Sequence, residues 1–152
     1  METGWTLAQI NIGRTVAPLD DPRLAGFLAG LDEINALAER SEGFVWRLQT
    51  DRFSGTEVPV TDDPLVIVNL TVWRTVEDLF EFTYRSAHKG VFARRFDWFE
   101  RWPGPELAMW WQPAGTIPDV QDGLRRLERL ATLGPSPEAF TFKQWFPPPA
   151  GG

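Results

Sequence analysis

The chain has 152 residues, enough for one domain with a substantial core, and its 43 % hydrophobic and 24 % charged residues are typical of a globular protein. Its formal net charge of −6 argues against nucleic acid or an anionic membrane as a partner, and its lack of cysteine excludes disulfides, thiol catalysis and thiolate metal sites. Because no segment approaches about 18 consecutive apolar residues and the first residues have no signal-peptide pattern, we expect a soluble, cytoplasmic protein.

Hydrophobic periodicity predicts a series of strands and helices along the chain. The predicted strands cover residues 5–12, 44–49, 65–73, 106–112 and 140–145. The predicted helices cover residues 22–40, 76–102 and 119–133. Asp20 or Asp21 is expected to cap the first helix, with Pro22 in its first turn, and Thr75 is expected to cap the second. The strand at 65–73 has the strongest pattern, because it is rich in β-branched residues.

The first six elements follow the order strand, helix, strand, strand, helix, strand, which is the split βαβ pattern of the ferredoxin-like fold. We therefore expect one α+β domain over residues 1–146, βαββαβ with a C-terminal helix and a short strand, and a flexible Pro/Gly tail over 147–152. In that fold two helices cover one sheet face and leave the other bare. An apolar bare face favours a C2 homodimer in which two sheets pack face to face as a dimeric α/β barrel.

The stretch from 81 to 102 contains the only histidine and the only tyrosine of the chain. If this stretch is a helix, at about 100° per residue, it places titratable and aromatic side chains on one face. That face comprises Glu81, Tyr84, His88, Phe92, Arg95, Phe99 and Trp102. A mixed face of this kind is typical of a pocket wall, where a few polar groups lie among hydrophobic surfaces. The alternative is that His88 is a partly buried helix histidine, hydrogen-bonded to a neighbour.

Three groups of residues resemble a known family. They are 5–14 (WTLAQINIGR), 65–73 (LVIVNLTVW), and 84–88 (YRSAH) followed by 94–95 (RR) and 98–99 (WF). They make the chain similar to the dimeric α/β-barrel superfamily, the superfamily of antibiotic biosynthesis monooxygenases, and within it to domain-of-unknown-function family 3291. The resemblance implies a range of chemistries, since the superfamily includes cofactor-independent quinone-forming monooxygenases, haem-degrading monooxygenases, chlorite dismutase relatives, muconolactone-type isomerases and polyketide cyclases.

The leading hypothesis is an enzyme acting on a flat apolar molecule, aromatic or polyketide-like, as a cofactor-independent monooxygenase or as a cyclase or isomerase. His88 would remove a phenolic or α-carbonyl proton, because a neutral imidazole is a suitable base near neutral pH. The expected catalytic residues are His88, Arg95, which would stabilise the resulting anion, and Tyr84. The expected substrate-binding residues are Asn11, Asn69, Trp73, Arg85, Phe92 and Trp110. Arg85 is the alternative to Arg95, and neither a cofactor nor a metal is expected.

Two alternatives belong to other functional classes. The haem-degrading branch has an asparagine on the first strand, a tryptophan on the third and a histidine on the second long helix, and Asn11, Trp73 and His88 follow the same order here. Haem is therefore the alternative cofactor, with His88 as its single axial ligand. The third hypothesis is a non-catalytic dimer, in which the many aromatic residues bind a hydrophobic ligand or fill an interface.

Overall fold

The computed structural model describes residues 4–18, 20–48, 63, 65–85 and 95–149, without the side chains of residues 31, 32, 85, 95 and 96. Within these residues the β-strands are β1 (Trp5–Arg14), β2 (Phe44–Arg47), β3 (Val66–Trp73) and β4 (Leu107–Pro113). A short 3-10 helix (Pro22–Leu24) leads into α1 (Ala25–Arg40), and the helices that follow are α2 (Val76–Arg85), α3 (Arg95–Trp98) and α4 (Val120–Leu133). The chain is therefore a mixed α+β protein, as its sequence predicts.

The strands form one antiparallel sheet in the order β2-β3-β1-β4. β1 is central, since it pairs with β3 on one side and with β4 on the other. The strand predicted at 140–145 is absent, and this segment joins the sheet through one bridge, in which Phe140 and Met109 exchange two backbone hydrogen bonds. Further bridges, between Ser136 and Ala139 and between Thr141 and Gln144, turn the chain on both sides of this contact and prevent a continuous strand.

Local sequence signals set the starts of the first two helical segments. The side chain of Asp21 accepts a hydrogen bond from the backbone N–H of Arg23 at 2.8 Å, and Pro22 occupies the first turn. Thr75 Oγ1 accepts a hydrogen bond from the backbone N–H of Asp78 at 3.0 Å. Each cap satisfies an N–H group that has no partner within its helix. Of the two predicted caps for the first helix, Asp20 or Asp21, the structure has Asp21, at the 3-10 helix that leads into α1. The cap predicted at Thr75 is also present.

One face of the sheet is covered by α4. Leu127 and Leu130 of this helix pack against Ile10 and Trp110 of the sheet in a buried cluster. α4 lies close to the strands at Gly123, where an added Cβ would stand 2.7 Å from Ile10 Cδ1. The expectation of a bare sheet face is therefore wrong, because the C-terminal helix buries that face within the same chain. The dimer of two face-to-face sheets was expected because this face would be uncovered and apolar, and α4 removes that reason.

The opposite face carries α1 and α2, and we call it the α1/α2 face. Its buried cluster comprises Leu7, Ala38, Trp73, Val76, Leu79, Met109 and Phe140. Side chains alternate along a strand, so residues of β1 and β3 at even spacing from Leu7 and Trp73 share their side of the sheet. Gln9 and Asn11 of β1, and Thr71 and Asn69 of β3, therefore point toward the same helices. Two of the predicted substrate-binding residues, Asn11 and Asn69, thus share the helix-covered side of the sheet.

Candidate functional site

Four polar residues, Gln9, Thr71, Asn11 and Asn69, form a polar strip across the α1/α2 face. Gln9 and Thr71 lie opposite each other on β1 and β3, and Gln9 Nε2 donates a hydrogen bond to Thr71 Oγ1 at 2.9 Å. Trp73 Nε1 donates to the same oxygen, also at 2.9 Å, and all three side chains are buried. Because a hydroxyl oxygen has two acceptor sites, Thr71 satisfies two donors that would otherwise be buried without partners.

The second pair of the polar strip, Asn11 and Asn69, is more accessible. Asn69 Nδ2 lies 3.5 Å from Asn11 Oδ1, at the long end of the hydrogen-bonding range. Asn69 is exposed and Asn11 is partly buried. Within the described part of the chain the two amides make no further side-chain hydrogen bond. Asn11 Nδ2 and Asn69 Oδ1 therefore offer a donor and an acceptor, side by side, to a bound molecule.

An aromatic cluster lies at one end of the polar strip. Trp73 is fully buried, and its ring stacks on Phe82 of α2 with the centroids 5.2 Å apart. Phe44 of β2 meets Trp73 edge to face at 5.6 Å. Both arrangements are favourable for aromatic rings. The ring and the N–H group of Trp73 are thus engaged by the protein itself, so the described contacts give Trp73 a supporting role beneath the site and leave no free ring face for stacking on a ligand.

A second aromatic cluster lies at the other end. Phe27 of α1 meets Phe99 edge to face at 5.2 Å and lies 5.7 Å from Trp98 of α3. Phe99 lies directly over Gly13 of β1, where an added Cβ would stand 2.9 Å from Phe99 Cδ1. A glycine is needed here because the ring approaches the strand backbone closely. The polar strip is therefore bounded along the strands by aromatic rings at both ends.

Tyr84 lies on the outer side of α2. Its ring packs against Phe80 at 4.8 Å and against Phe142 at 5.5 Å, and it is 38 % exposed. The ring of α2 that reaches the sheet is Phe82, which stacks on Trp73. The structure therefore groups Tyr84 with the C-terminal segment and does not bring it to the asparagine pair.

The sheet separates Trp110 from the polar strip. Trp110 is buried on the side of α4, with the guanidinium carbon of Arg126 4.8 Å from its ring centroid. Its neighbour Trp111 packs on the α1/α2 face and donates from Nε1 to the backbone oxygen of Phe146 at 2.8 Å. Trp73 and Trp110 thus lie on opposite faces and cannot stack on one ligand within a single chain.

The remaining predicted site residues lie between positions 85 and 95, from the last residue of α2 to the first residue of α3. Arg85 is the last residue of α2 and Arg95 is the first residue of α3, and the side chains of both lie outside the described residues. His88 and Phe92 lie outside them entirely. The roles assigned to these four residues from the sequence therefore stay predictions.

Comparison with known proteins gives the family of the chain. A family model described as "Domain of unknown function (DUF3291)" matches residues 6–152. The chain belongs to this family. Among solved structures, the crystal structure of the NE2512 protein of unknown function from Nitrosomonas europaea is similar at 12 % sequence identity and a TM-score of 0.49, over 76 % of this chain and 97 % of that chain. The chain matches none of the curated proteins with which it was compared.

Sequence reasoning missed two features of this DUF3291 domain. It did not predict that Thr71 joins Gln9 to Trp73, although side chains two residues apart along a strand point to the same side. It also missed the contact of Phe99 with Gly13, because the two residues are far apart in the chain. The available signal was Gly13, directly after the predicted strand at 5–12 and inside the observed β1, because a glycine in a strand often marks the close approach of another group.

Ion pairs hold the end of β1 beside the second aromatic cluster of the DUF3291 domain. Arg14 Nε donates to Asp63 Oδ2 at 2.6 Å, and Arg14 Nη1 pairs with Glu100. The hydrogen bond from Arg14, followed by the hydrogen bond from the backbone N–H of Leu65, holds the pKa of Asp63 below its ordinary value. Arg14 therefore ties β1 to the segment before β3 and to the segment after α3.

Two negative results apply to the described part of the DUF3291 domain. No group of acidic or histidine side chains there has the geometry to hold a metal ion. No helix there is long and apolar enough to cross a membrane.

Proposed function

We propose that the chain is a small-molecule enzyme that removes a proton from a flat apolar substrate, aromatic or polyketide-like. His88 is the base that takes this proton. The resulting anion then reacts in one of two ways: by cofactor-independent oxygenation, or by cyclisation or isomerisation. The observation that carries this proposal is the Asn11–Asn69 pair, which presents an unused donor and an unused acceptor between two aromatic clusters. Few convergent polar groups among aromatic walls are characteristic of small-molecule sites.

The asparagine pair suits an oxygenated ring system. A phenol or an enolisable ketone carries an oxygen that accepts a hydrogen bond, and Asn11 Nδ2 supplies the donor. A neighbouring hydroxyl donates to Asn69 Oδ1. The buried Gln9–Thr71–Trp73 network beside the pair fixes the strands on which the two amides stand. Positioning of this kind lowers the entropic cost of reaching a reactive geometry.

Chain connectivity supports His88 as the base. The segment that contains His88 joins α2 to α3. Phe82 of α2 packs at the first aromatic cluster and Trp98 of α3 packs at the second, so the ends of this connection stand at the two sides of the asparagine pair. In the proposed mechanism His88 takes the proton as a neutral imidazole, and Arg95 or Arg85 stabilises the enolate or phenolate.

The finer description of the fold is also a proposal. The strand order β2-β3-β1-β4 and the antiparallel pairing support a ferredoxin-like βαββαβ topology and membership of the dimeric α/β-barrel superfamily. A homodimer with a closed barrel requires α4 to leave the sheet face that it covers. Light scattering on the purified protein tests the dimer, since a particle mass of one chain contradicts it.

Haem has weaker support than a small planar substrate. The haem hypothesis needs Trp73 beside the macrocycle, yet both the ring and the N–H group of Trp73 are used within the protein. A Soret band that appears on mixing with haem and disappears in His88→Ala would favour the haem hypothesis over the proposed one.

Binding of 2-naphthol, a flat phenol, tests the proposed function. We expect the wild-type protein to bind 2-naphthol near neutral pH and to show the absorption of the naphtholate. The variant His88→Gln should bind 2-naphthol with similar affinity but leave it protonated, because the base is missing. Binding without ionisation in the wild-type protein would support a non-catalytic ligand-binding module instead.

A further inference from the structure

A groove lies on the outer side of α2, and none of its lining residues belongs to the polar strip. It is formed by α2 and by the chain that follows Phe140, and it has a volume of about 200 Å³. Its lining residues are Val76, Glu77, Phe80, Glu81, Phe142 and Trp145. Val76 is the one α2 residue that both lines this groove and packs in the buried cluster on the sheet. The other α2 residues of the groove do not face the sheet, so the groove is independent of the proposed catalytic site.

The walls of this outer groove are exposed aromatic rings. Phe80 is 37 % exposed and Trp145 is 47 % exposed, which is unusual for side chains of this size. Phe80 and Phe142 stand almost at right angles, with an interplanar angle of 81° and centroids 5.5 Å apart. We call Phe80 and Phe142 the aromatic corner. Tyr84 packs against both of these rings and supports their arrangement. The groove therefore presents aromatic surface in more than one orientation.

The outer groove is also acidic. Glu77 and Glu81 are four residues apart on α2, so they lie on the same side of the helix, and both are exposed. Among the described lining residues none is basic. The electrostatic character of the groove thus complements a positive charge.

We propose that the outer groove binds the alkylated ammonium group of a small organic cation. The faces of aromatic rings attract such cations through their quadrupoles, and quaternary ammonium groups are recognised by rings set around them. Glu77 and Glu81 add attraction by charge, and the groove volume suits a trimethylammonium group better than an extended ligand. The aromatic corner and the two carboxylates are independent features that favour the same ligand.

A groove of similar size elsewhere in the chain provides the control. It has a volume of about 210 Å³ and lies between α4 and the chain before β4. It contains one tryptophan, Trp102, and one glutamate, Glu128. Replacing Glu128 therefore removes one exposed groove carboxylate without touching the outer groove.

The experiment compares choline with its uncharged analogue 3,3-dimethylbutan-1-ol by nuclear magnetic resonance of the full chain. The reporter is the indole N–H signal of Trp145, assigned by its loss in Trp145→Phe. We expect choline to shift this signal saturably and to bind at least about tenfold more tightly than the neutral alcohol. The double variant Glu77→Gln/Glu81→Gln should lose at least about tenfold in choline affinity, whereas Glu128→Gln should bind like the wild type.

Two results would overturn the proposal. One is an equal response to choline and to the neutral alcohol, which would indicate an apolar groove without charge selection. The other is unchanged choline affinity in the double glutamine variant, provided that its thermal unfolding matches that of the wild type. Neither result affects the proposed proton abstraction, since none of the substituted residues belongs to that mechanism.

Discussion

Asn11 and Asn69 stand opposite each other on β1 and β3, with Asn69 Nδ2 3.5 Å from Asn11 Oδ1. The pair directly beside them, Gln9 and Thr71, is buried and joined at 2.9 Å. Within two residues along the strands, the polar side chains of this face therefore change from a buried, hydrogen-bonded pair to a solvent-accessible pair. Buried networks hold structure, and accessible amides between aromatic rings are suited to recognition.

The asparagine pair is expected to affect ligand binding more than stability. Asn69→Ala should weaken 2-naphthol binding about tenfold, because it removes the acceptor and leaves Asn11 misaligned. Its effect on the free energy of unfolding should stay within about 0.5 kcal/mol, since Asn69 is exposed. Fluorescence titration and urea unfolding measure the two effects. Asn35→Ala, which removes a partly buried amide from α1, is the control, and a similar loss of binding in that variant would count against the asparagine pair.

Thr71 is expected to be important for stability through its hydroxyl group. Thr71→Val should lower the free energy of unfolding by about 2–4 kcal/mol, because it leaves Gln9 Nε2 and Trp73 Nε1 buried without an acceptor. Thr71→Ser keeps the hydroxyl oxygen, so its free energy of unfolding should fall by clearly less than that of Thr71→Val. Urea unfolding followed by tryptophan fluorescence measures both. Equal losses in the two variants would show that the methyl group, not the hydrogen bonds, stabilises this position.

The position of α4 over the sheet can be tested with two leucines of the same helix. Leu127 is 7 % exposed and packs on the sheet, whereas Leu133 is 68 % exposed. Leu127→Ala should cost about 2–4 kcal/mol of unfolding free energy through the cavity it creates. Leu133→Ala should change that free energy by less than about 0.5 kcal/mol. Chemical denaturation compares them, and similar small effects at both positions would mean that α4 does not rest on this face.

The ion pair of Asp63 predicts a particular dependence of stability on pH. The pKa of Asp63 in the folded chain is lower than its ordinary value of 3.8. The stabilisation is therefore fully present above about pH 5 and is lost as the pH falls through the lowered pKa. The melting temperature of Asp63→Asn should lie below that of the wild type by a constant amount near neutral pH, and the gap should close below about pH 4. Asp20→Asn, at an exposed position, is the control; a gap that does not narrow in acid contradicts the role of Arg14.

The sequence predicted the features that depend on local signals. Asp21 and Thr75 cap their helices because a short polar side chain can reach the free N–H groups nearby. Strands β1 and β3 were recognisable from alternation and from β-branched residues. Asn11 and Asn69 were both predicted as substrate-binding residues, and the observed register together with the period of two along each strand puts them on one side of the sheet.

The sequence did not predict the features that depend on which surfaces meet. The apolar stripe of α4 shows that this helix packs on something, but it does not show that the partner is the sheet of the same chain. The rotation of α2 was also wrong, because both Phe82 and Tyr84 are aromatic and only packing decides which of them meets Trp73. Trp110 was assigned to the site as a substrate-binding aromatic residue, although its neighbour Trp111 is the one that lies on the site's side of the sheet.

Exchange of the α-protons of 2-tetralone with solvent deuterium tests proton abstraction at this site most directly, because it detects deprotonation whatever product follows. We expect the wild-type protein to accelerate exchange near neutral pH, His88→Gln to abolish the acceleration, and Asn69→Ala to reduce it about tenfold. Exchange that proceeds equally fast with the wild-type protein and with His88→Gln would contradict the proposed mechanism.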